Sequence, residues 1–204
     1  MSHICRTMIA LSAIALTSQP AAGTAGFAEW EVLTPGGHQI AHSDRWKSRH
    51  GDCLVPRGTS IPVVSQIKRW RYYKNYVVGQ TKSAFFVFNE KTKQVITLAN
   101  KAALSATIKK KVRAGPLSDW YTGQDGWSEA WFPLLVWPRC KGASGQPPAP
   151  KALCDRFLSK RGLAVQRVTT WGQQCASMKR PSGHPGITAW CKLILTASKR
   201  RKSR

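Results

Sequence analysis

The side chains closest to an acid–base or metal-binding group are three histidines and an aspartate: His38, His42, Asp44 and His50. In a helix, the first two histidines would lie on one face, one turn apart. A proline and two glycines at 35–37 precede them, and the segment lacks a helical pattern of apolar residues. A catalytic zinc site also needs a third ligand at a defined spacing and a general base. The pattern therefore favours solvated loop histidines, and we expect neither a metal nor a cofactor.

Hydrolysis of a polyanion is an alternative function, because secreted ribonucleases are small and basic and act with a general acid and a general base beside the phosphate. The candidate proton donors are His38, His42, His50 and His184, and Glu90 or Glu129 are candidate bases. Their spacing does not separate them from scattered surface residues, so no catalytic residue is assigned. The chain has no nucleophile elbow, no H-E-x-x-H and no P-loop.

Tryptophan is abundant, with nine residues in the chain, four of them between 117 and 140. Aromatic rings stack on sugars and nucleobases, and neighbouring Lys or Arg side chains hold the phosphates. Trp120, Trp127 and Trp131 are the candidates for such an aromatic platform. The alternative, which we favour, is that these rings pack in the core, since large aromatic side chains usually serve burial.

The charge is strongly positive, with 32 Lys and Arg against 9 Asp and Glu, a formal net charge of +23. Residues 151–204 are the densest part, with 13 basic side chains and one acidic side chain. Such a field attracts polyanions and repels cationic partners. The predicted anion-binding residues are Lys179, Arg180, Lys199, Arg200, Arg201, Lys202 and Arg204. A solvated basic surface without a specific ligand is the alternative.

The N-terminus has the pattern of a secretory signal peptide. Arg6 precedes a short apolar run at 8–16, and small residues suited to signal peptidase follow Pro20. The run has about nine residues, whereas a membrane span needs about 20. We therefore assign residues 1–25 to a signal peptide, expect no transmembrane segment in the mature chain, and place the protein in the periplasm or outside the cell.

Five cysteines remain after Cys5 leaves with the signal, and an oxidising compartment favours disulfides. A hairpin turning near residue 183 would set Cys175 opposite Cys191, within bonding reach. Cys53–Cys140 is the expected second bridge. The competing pairing joins Cys154 to one of the hairpin cysteines. No C-x-x-C pair is present, which disfavours zinc.

The elements that would carry these residues begin with a loop-rich stretch at 26–60. Aromatic and β-branched runs at 71–78, 84–88 and 94–98 predict an antiparallel meander. Apolar residues at helical spacing predict a helix over 101–113 that is capped by Asn100 and packs on the meander. Pro133 makes any strand at 132–137 an edge strand or irregular.

The C-terminal part reads as a helix at 151–161 followed by strands at 163–171 and 187–197. The chain is thus predicted to be α+β, with a meander and a packed helix plus a small helix–β-hairpin subdomain. The expected units are a β-rich domain (26–141), a Pro/Gly linker (142–150), the subdomain (151–198) and a basic tail (199–204).

Charge and export together predict non-enzymatic binding of an anionic partner. The candidates are envelope phosphate groups or another anionic membrane surface, an acidic glycan and nucleic acid. A secreted nuclease-like hydrolase is one alternative. The other is an inhibitor or immunity-type protein of another secreted protein.

Overall fold

The computed structural model describes residues 29–42, 51–142, 145–178 and 183–196. The predicted signal peptide at 1–25 lies outside these residues. The described part contains two antiparallel sheets and seven α-helices, which confirms the α+β class. None of its helices has the length and apolar character needed to cross a bilayer.

The first sheet contains three short strands within the stretch that the sequence indicated to be loop-rich. They are β1 (Trp30–Leu33), β2 (Gln39–His42) and β3 (Cys53–Val55), paired in that order. Trp30 and Val32 are buried at alternate positions of β1, which is the period-two pattern of a half-buried strand. The sequence did not indicate these strands, because three or four residues contain too few apolar–polar alternations to be recognised.

The predicted meander is confirmed and has one strand more than expected. Its strands are β4 (Ile67–Tyr73), β5 (Tyr76–Thr81), β6 (Phe85–Asn89) and β7 (Val95–Leu98). The run read as one strand turns at Lys74 and Asn75, and Asn75 takes a positive φ of 63° that suits this residue type. Gly79 lets strands and rings approach closely, since a Cβ there would lie 2.3 Å from the Phe86 ring.

Both faces of the meander are covered. Trp70, Tyr72, Val77, Phe86 and Phe88 share one face and belong to the main hydrophobic core. Tyr73, Val78 and Val87 lie on the other face, the outer face, in a second cluster. That cluster is completed by Leu104 of α1 (Lys101–Thr107) and by Val112 of the π-helical turn Ile108–Val112 that follows it. The Asn100 side chain caps α1 by accepting from Ala103 N at 2.9 Å, as predicted.

The tryptophan-rich segment is helical, and residues 132–137, where the sequence allowed at most an edge or irregular strand, lie in helical segments. It forms α2 (Gly123–Ala130), a π-helical segment (Phe132–Val136) and α3 (Trp137–Cys140). Pro133 and Pro138 each stand in the first turn of a helical segment. Proline is tolerated there because the first N–H groups have no intrahelical partner.

The C-terminal part is also helical, which corrects the predicted β-hairpin. Its helices are α4 (Lys151–Leu158), α5 (Lys160–Val168), α6 (Thr170–Ser177) and α7 (Pro185–Thr196). The Cys175–Cys191 disulfide is present, with a Cα separation of 5.3 Å. It joins α6 to α7, so the pairing was named correctly but for a geometry the chain does not adopt.

The second disulfide joins Cys140 to Cys154, so the predicted Cys53–Cys140 bridge is wrong. The two Cα atoms are 5.7 Å apart, and the bond ties α3 to α4 across the Pro/Gly segment. Cys53 belongs to neither bridge and its side chain is buried in β3. Placing residue 140 at the end of a helix, instead of beside an edge strand, is what sets it beside the start of α4.

The main core draws on both sides of the Pro/Gly segment. Trp30, Ile40 and Trp70 from the sheets share one hydrophobic cluster with Phe157 and Trp190 from the C-terminal helices. Within the segment itself, Ala149 is buried. The helices therefore pack directly on the strand region.

Candidate anion-binding site

A short segment, 117–121, runs along the free edge of β4 and positions Trp120 beside two arginines of that strand. Trp70 and Tyr121 exchange two backbone hydrogen bonds, at 2.9 and 2.7 Å. Leu117 N donates to the carbonyl of Tyr72 at 2.9 Å, and Ser118 Oγ accepts from Tyr72 N. The backbone on both sides of Trp120 is thereby fixed to the sheet.

Arg69 and Arg71 lie on the same face of β4, because side chains two residues apart along a strand point to one side. Each guanidinium carbon lies 4.9 Å from the centroid of the Trp120 ring. Arg69 Nε also donates to Gln80 Oε1, on the neighbouring strand, at 2.9 Å. We call these three residues the Arg–Trp–Arg cluster. The ring is occupied by cations, so Trp120 supports two arginines and does not offer them an open stacking surface.

Cation–π contacts of this kind contribute about 0.5–1 kcal/mol each at exposed sites. Their larger consequence is orientation, since they restrict the rotamers of two long side chains before any ligand arrives. Arg69 is exposed and Arg71 is half-buried. Neither forms an ion pair with a described residue, so the positive charge of the cluster is uncompensated there.

The nearby acidic side chains already form ion pairs with other arginines, on the other side of the same segment. Arg156 pairs with Asp125 at 2.7 Å and donates to the carbonyl of Trp120 at 2.6 Å. Arg161 pairs with Asp119 at 3.1 Å. These arginines line a cleft of about 290 Å³ whose charges are balanced. The excess positive charge of this region is therefore concentrated at Arg69 and Arg71.

Trp120 and Trp127 of the predicted platform are separated by the fold. Trp120 packs against the outer-face cluster, whereas Trp127 packs against the main core on the opposite side of the meander. Trp131 ends α2, and its indole nitrogen is buried. Trp120 and Trp127 therefore do not share one aromatic surface, and Trp120 stands beside two basic side chains.

The histidines do not form a metal site in the part of the chain that is described. His38 is buried, and both of its ring nitrogens are hydrogen-bonded. Nδ1 accepts from Arg57 N, and Nε2 donates to the carbonyl of Glu90 at 2.7 Å. His42 Nδ1 lies 2.6 Å from Asp52 Oδ1. Asp44 and His50 lie outside the described residues.

Among the described residues, the His42–Asp52 pair resembles acid–base machinery. Its side chains are 18% and 14% exposed, and burial raises the pKa of Asp52. The carboxylate also lies over the first turn of α2, since a Cβ at Gly123 would be 2.7 Å from Asp52 Oδ2. Sequence reasoning missed Asp52 because ten residues separate it from the histidine, and only the pairing of β2 with β3 brings them together.

The two glutamates named as candidate bases are buried. Glu129 is fully buried; its Oε1 accepts from Thr170 Oγ1 at 2.9 Å, and its carbonyl accepts from Trp171 Nε1 at 2.7 Å. Desolvation raises the pKa of Glu129 to about 7. A polymer in solvent does not reach such a carboxyl, and its contacts tie α2 to α6. Glu90 is buried as well, and burial raises its pKa.

The residues first predicted to bind anions, Lys179, Arg180 and those from 199 onward, lie outside the described part of the chain. The Arg–Trp–Arg cluster was missed. A signal for its two arginines is present, because Arg69 and Arg71 alternate with aromatic residues over 69–72. In a strand this alternation puts both arginines on one face. Comparison of the chain with protein-family models, with curated proteins and with solved structures finds no match.

Proposed function

We propose that the protein is exported and binds an anionic partner without catalysing a reaction. The partner carries phosphate, sulfate or carboxylate groups, as envelope phosphates, acidic glycans and nucleic acids do. The observation that carries the proposal is the Arg–Trp–Arg cluster, in which Trp120 holds two guanidinium groups that have no acidic partner among the described residues. Guanidinium groups favour such anions because their fork of N–H donors matches two oxygens at once.

The export part of the proposal rests on the N-terminal pattern and is supported by the two disulfides, which persist in oxidising compartments. Intact-mass measurement on protein recovered from periplasm or medium tests it. A mature N-terminus between residues 24 and 30 is expected. Recovery of full-length chain from the cytoplasm alone would contradict export.

The binding test is a salt titration with three probes: a fluorescent single-stranded oligonucleotide, lipopolysaccharide and a sulfated glycan. The double variant Arg69→Ala/Arg71→Ala removes two contacts, so the log–log salt slope for the oligonucleotide should become shallower by about 1–2 units. The matched control, Lys82→Ala/Lys101→Ala, removes two exposed charges elsewhere and should change the slope less. Equal slopes and affinities for both variants and the unaltered protein would overturn the assignment.

The support role of Trp120 has its own variant. Trp120→Leu keeps both arginines but removes the ring that orients them, so binding should weaken about two- to fivefold at constant charge. The basic tail stays a separate prediction: removing 199–204 takes away five positive charges and should also flatten the salt dependence. Combining the truncation with the double arginine variant shows whether the two contributions add.

The His42–Asp52 pair favours one second candidate, hydrolysis of the bound polyanion. A carboxylate on Nδ1 fixes the imidazole tautomer and supports a general base. Incubation with the oligonucleotide separates the two functions, since binding shifts the probe and hydrolysis consumes it. Loss of the probe that His42→Ala abolishes would establish the hydrolase and replace the non-enzymatic proposal.

A further inference from the structure

A second cleft, with a volume of about 360 Å³, opens where three hairpin turns meet the end of α5. Gly36 comes from the β1–β2 turn, Lys74 from the β4–β5 turn, and Glu90 and Lys91 from the β6–β7 turn. Its volume is in the range of small-molecule sites. None of the residues of the Arg–Trp–Arg cluster lines it.

The floor of this cleft contains a carboxylate that the fold holds in place. Glu90 is only 6% exposed, and its Oε1 accepts from Gly36 N at 2.9 Å. Its backbone is held on both sides. The N–H of Glu90 donates to the Asn75 carbonyl at 2.9 Å, and the carbonyl of Glu90 accepts from the His38 ring. Gly36 is required beside it, because a Cβ would lie 2.8 Å from the Glu90 Cβ.

Glu90 also retains unused hydrogen-bonding capacity. Its Oε2 has no hydrogen-bond partner among the described residues, although leaving a buried carboxylate oxygen unpaired costs free energy. Burial raises the pKa of this carboxyl, which is the expected response to that cost. A ligand that brings a hydrogen-bond donor into the cleft would relieve it.

The rim supplies the complementary chemistry. Lys74 and Lys91 are exposed, and neither forms an ion pair with a described residue. Leu117 and Val168 are 37% and 38% exposed, and they are two of the five large apolar side chains exposed in the described chain. Exposed apolar residues that gather at one cleft, beside fixed polar groups, are typical of a ligand site.

We infer that this cleft binds a small carboxylic acid that carries both a hydrogen-bond donor and a branched apolar group, such as an α-amino or α-hydroxy acid. Lys74 and Lys91 hold the carboxylate, Glu90 accepts from the amino or hydroxyl group, and Leu117 with Val168 covers the apolar group. The net positive charge of the protein favours a ligand with a carboxylate over a simple amine. This inference does not rest on polyanion binding.

The test is a titration of uniformly ¹⁵N-labelled protein with L-leucine and with 2-hydroxy-4-methylpentanoate, followed by amide chemical shifts. Saturable shifts are expected at Lys74, Asn75 and Lys91. Two probes each remove one group: 4-methylpentanoate lacks the donor and should bind about fivefold more weakly, and 3-methylbutylamine lacks the carboxylate and should give no saturable shift. Absence of saturation with both acids, or an amine that binds as tightly as leucine, would overturn the inference.

Variants then assign the contacts. Lys74→Ala/Lys91→Ala should weaken binding of 2-hydroxy-4-methylpentanoate about tenfold or more, while Lys82→Ala/Lys101→Ala, which loses the same charge elsewhere, should leave it within about twofold. Leu117→Ser/Val168→Ser changes two exposed positions and should also weaken binding without unfolding the chain. Equal affinity in the lysine variant and its control would mean that the cleft is not the site.

Discussion

The strand region, residues 29–98, and the helical region, residues 151–196, differ in how their structure is specified. In each sheet, every strand pairs with the next strand along the chain. The C-terminal helices have 8, 9, 8 and 12 residues. Isolated helices shorter than about 12–15 residues are marginal in water. Hairpins are thus specified by neighbouring residues, whereas these helices depend on what they pack against.

Local sequence pattern and shared burial therefore specify different parts of one core. Phe157, Val165 and Trp190 bury the helical faces against the same cluster that contains Trp30 and Trp70. A hydrogen-bond chain adds a polar link, because Thr170 Oγ1 accepts from Leu33 N at 2.8 Å and donates to Glu129. We therefore expect the two regions to unfold together, and four experiments test this from the largest effect to the smallest.

Trp190→Ala should have the largest effect. Trp190 is fully buried on α7, and its ring lies 4.8 Å from that of Phe132 and 5.2 Å from that of Trp137. Removing a buried indole costs about 3–5 kcal/mol. Urea unfolding followed by circular dichroism and by tryptophan fluorescence should shift as one transition. Leu195→Ala, on the same helix but 42% exposed, is the control and should change stability by much less.

The contrary outcome is two separate transitions in Trp190→Ala, with the strand region unfolding at its original midpoint. They would show that the helices form an independent unit instead of half of a common core.

The disulfides come next. Replacing either pair with serines should lower the free energy of unfolding by about 3 kcal/mol, since each bond closes a loop of similar length, with sequence separations of 14 and 16. Loss of Cys140–Cys154 tests whether the helical region needs its covalent tie to α3. Non-reducing peptide mapping provides the check on connectivity, and a Cys53–Cys140 peptide would contradict the structure.

Glu129→Gln tests the polar link between the regions. Burial raises the pKa of Glu129 from 4.5 to about 7. At a pH between these values, the folded protein keeps a proton that the unfolded chain has released. Stability supplied by this group is therefore present below pH 4.5 and is lost as pH rises through 7. Between pH 5 and 8, the unaltered protein should lose about 2 kcal/mol more than Glu129→Gln does.

The same pH series on Asp155→Asn gives the control, because Asp155 is exposed and pairs only with Lys151 at the surface. Glu31, Asp52 and Glu90 also have raised pKa values and contribute with the same sign, so only the difference from Glu129→Gln reports on this carboxyl. Parallel stability curves for that variant and the unaltered protein would show that Glu129 does not titrate in this range.

Asn100→Ala should have the smallest effect and a local one. It removes the side-chain acceptor that caps α1 and should cost about 1 kcal/mol. Hydrogen exchange should rise in α1 and the following π-helical turn, with little change in α4–α7. Lys109→Ala, exposed on that turn, should be nearly neutral. Equal protection loss in the C-terminal helices would mean that even the outer-face helix is coupled to them.

The sequence predicted what depends on near neighbours. The meander, apart from its first turn at Lys74 and Asn75, and the Asn100 cap follow from residues within about ten positions of one another. Trp120 was named as a site residue, but its partners on β4 were not, since the contact requires segment 117–121 to lie along the edge of that strand. The spacing of Ile187, Trp190 and Ile194 is helical and was present in the sequence, yet β-branched composition outweighed it.

By itself, then, the sequence determined the charge, the α+β class and the second sheet, because composition and short-range pattern are enough for these. The tertiary structure was needed to show that α5, α6 and α7 take the place of the predicted hairpin strands at 163–171 and 187–197, that Cys140 bonds to Cys154, and that His42 meets Asp52. The helices depend on burial against residues far away in the chain, whereas Cys140–Cys154 and His42–Asp52 depend on how neighbouring elements pack. Such burial outweighs weak local propensity, which amounts to a few tenths of a kcal/mol per residue.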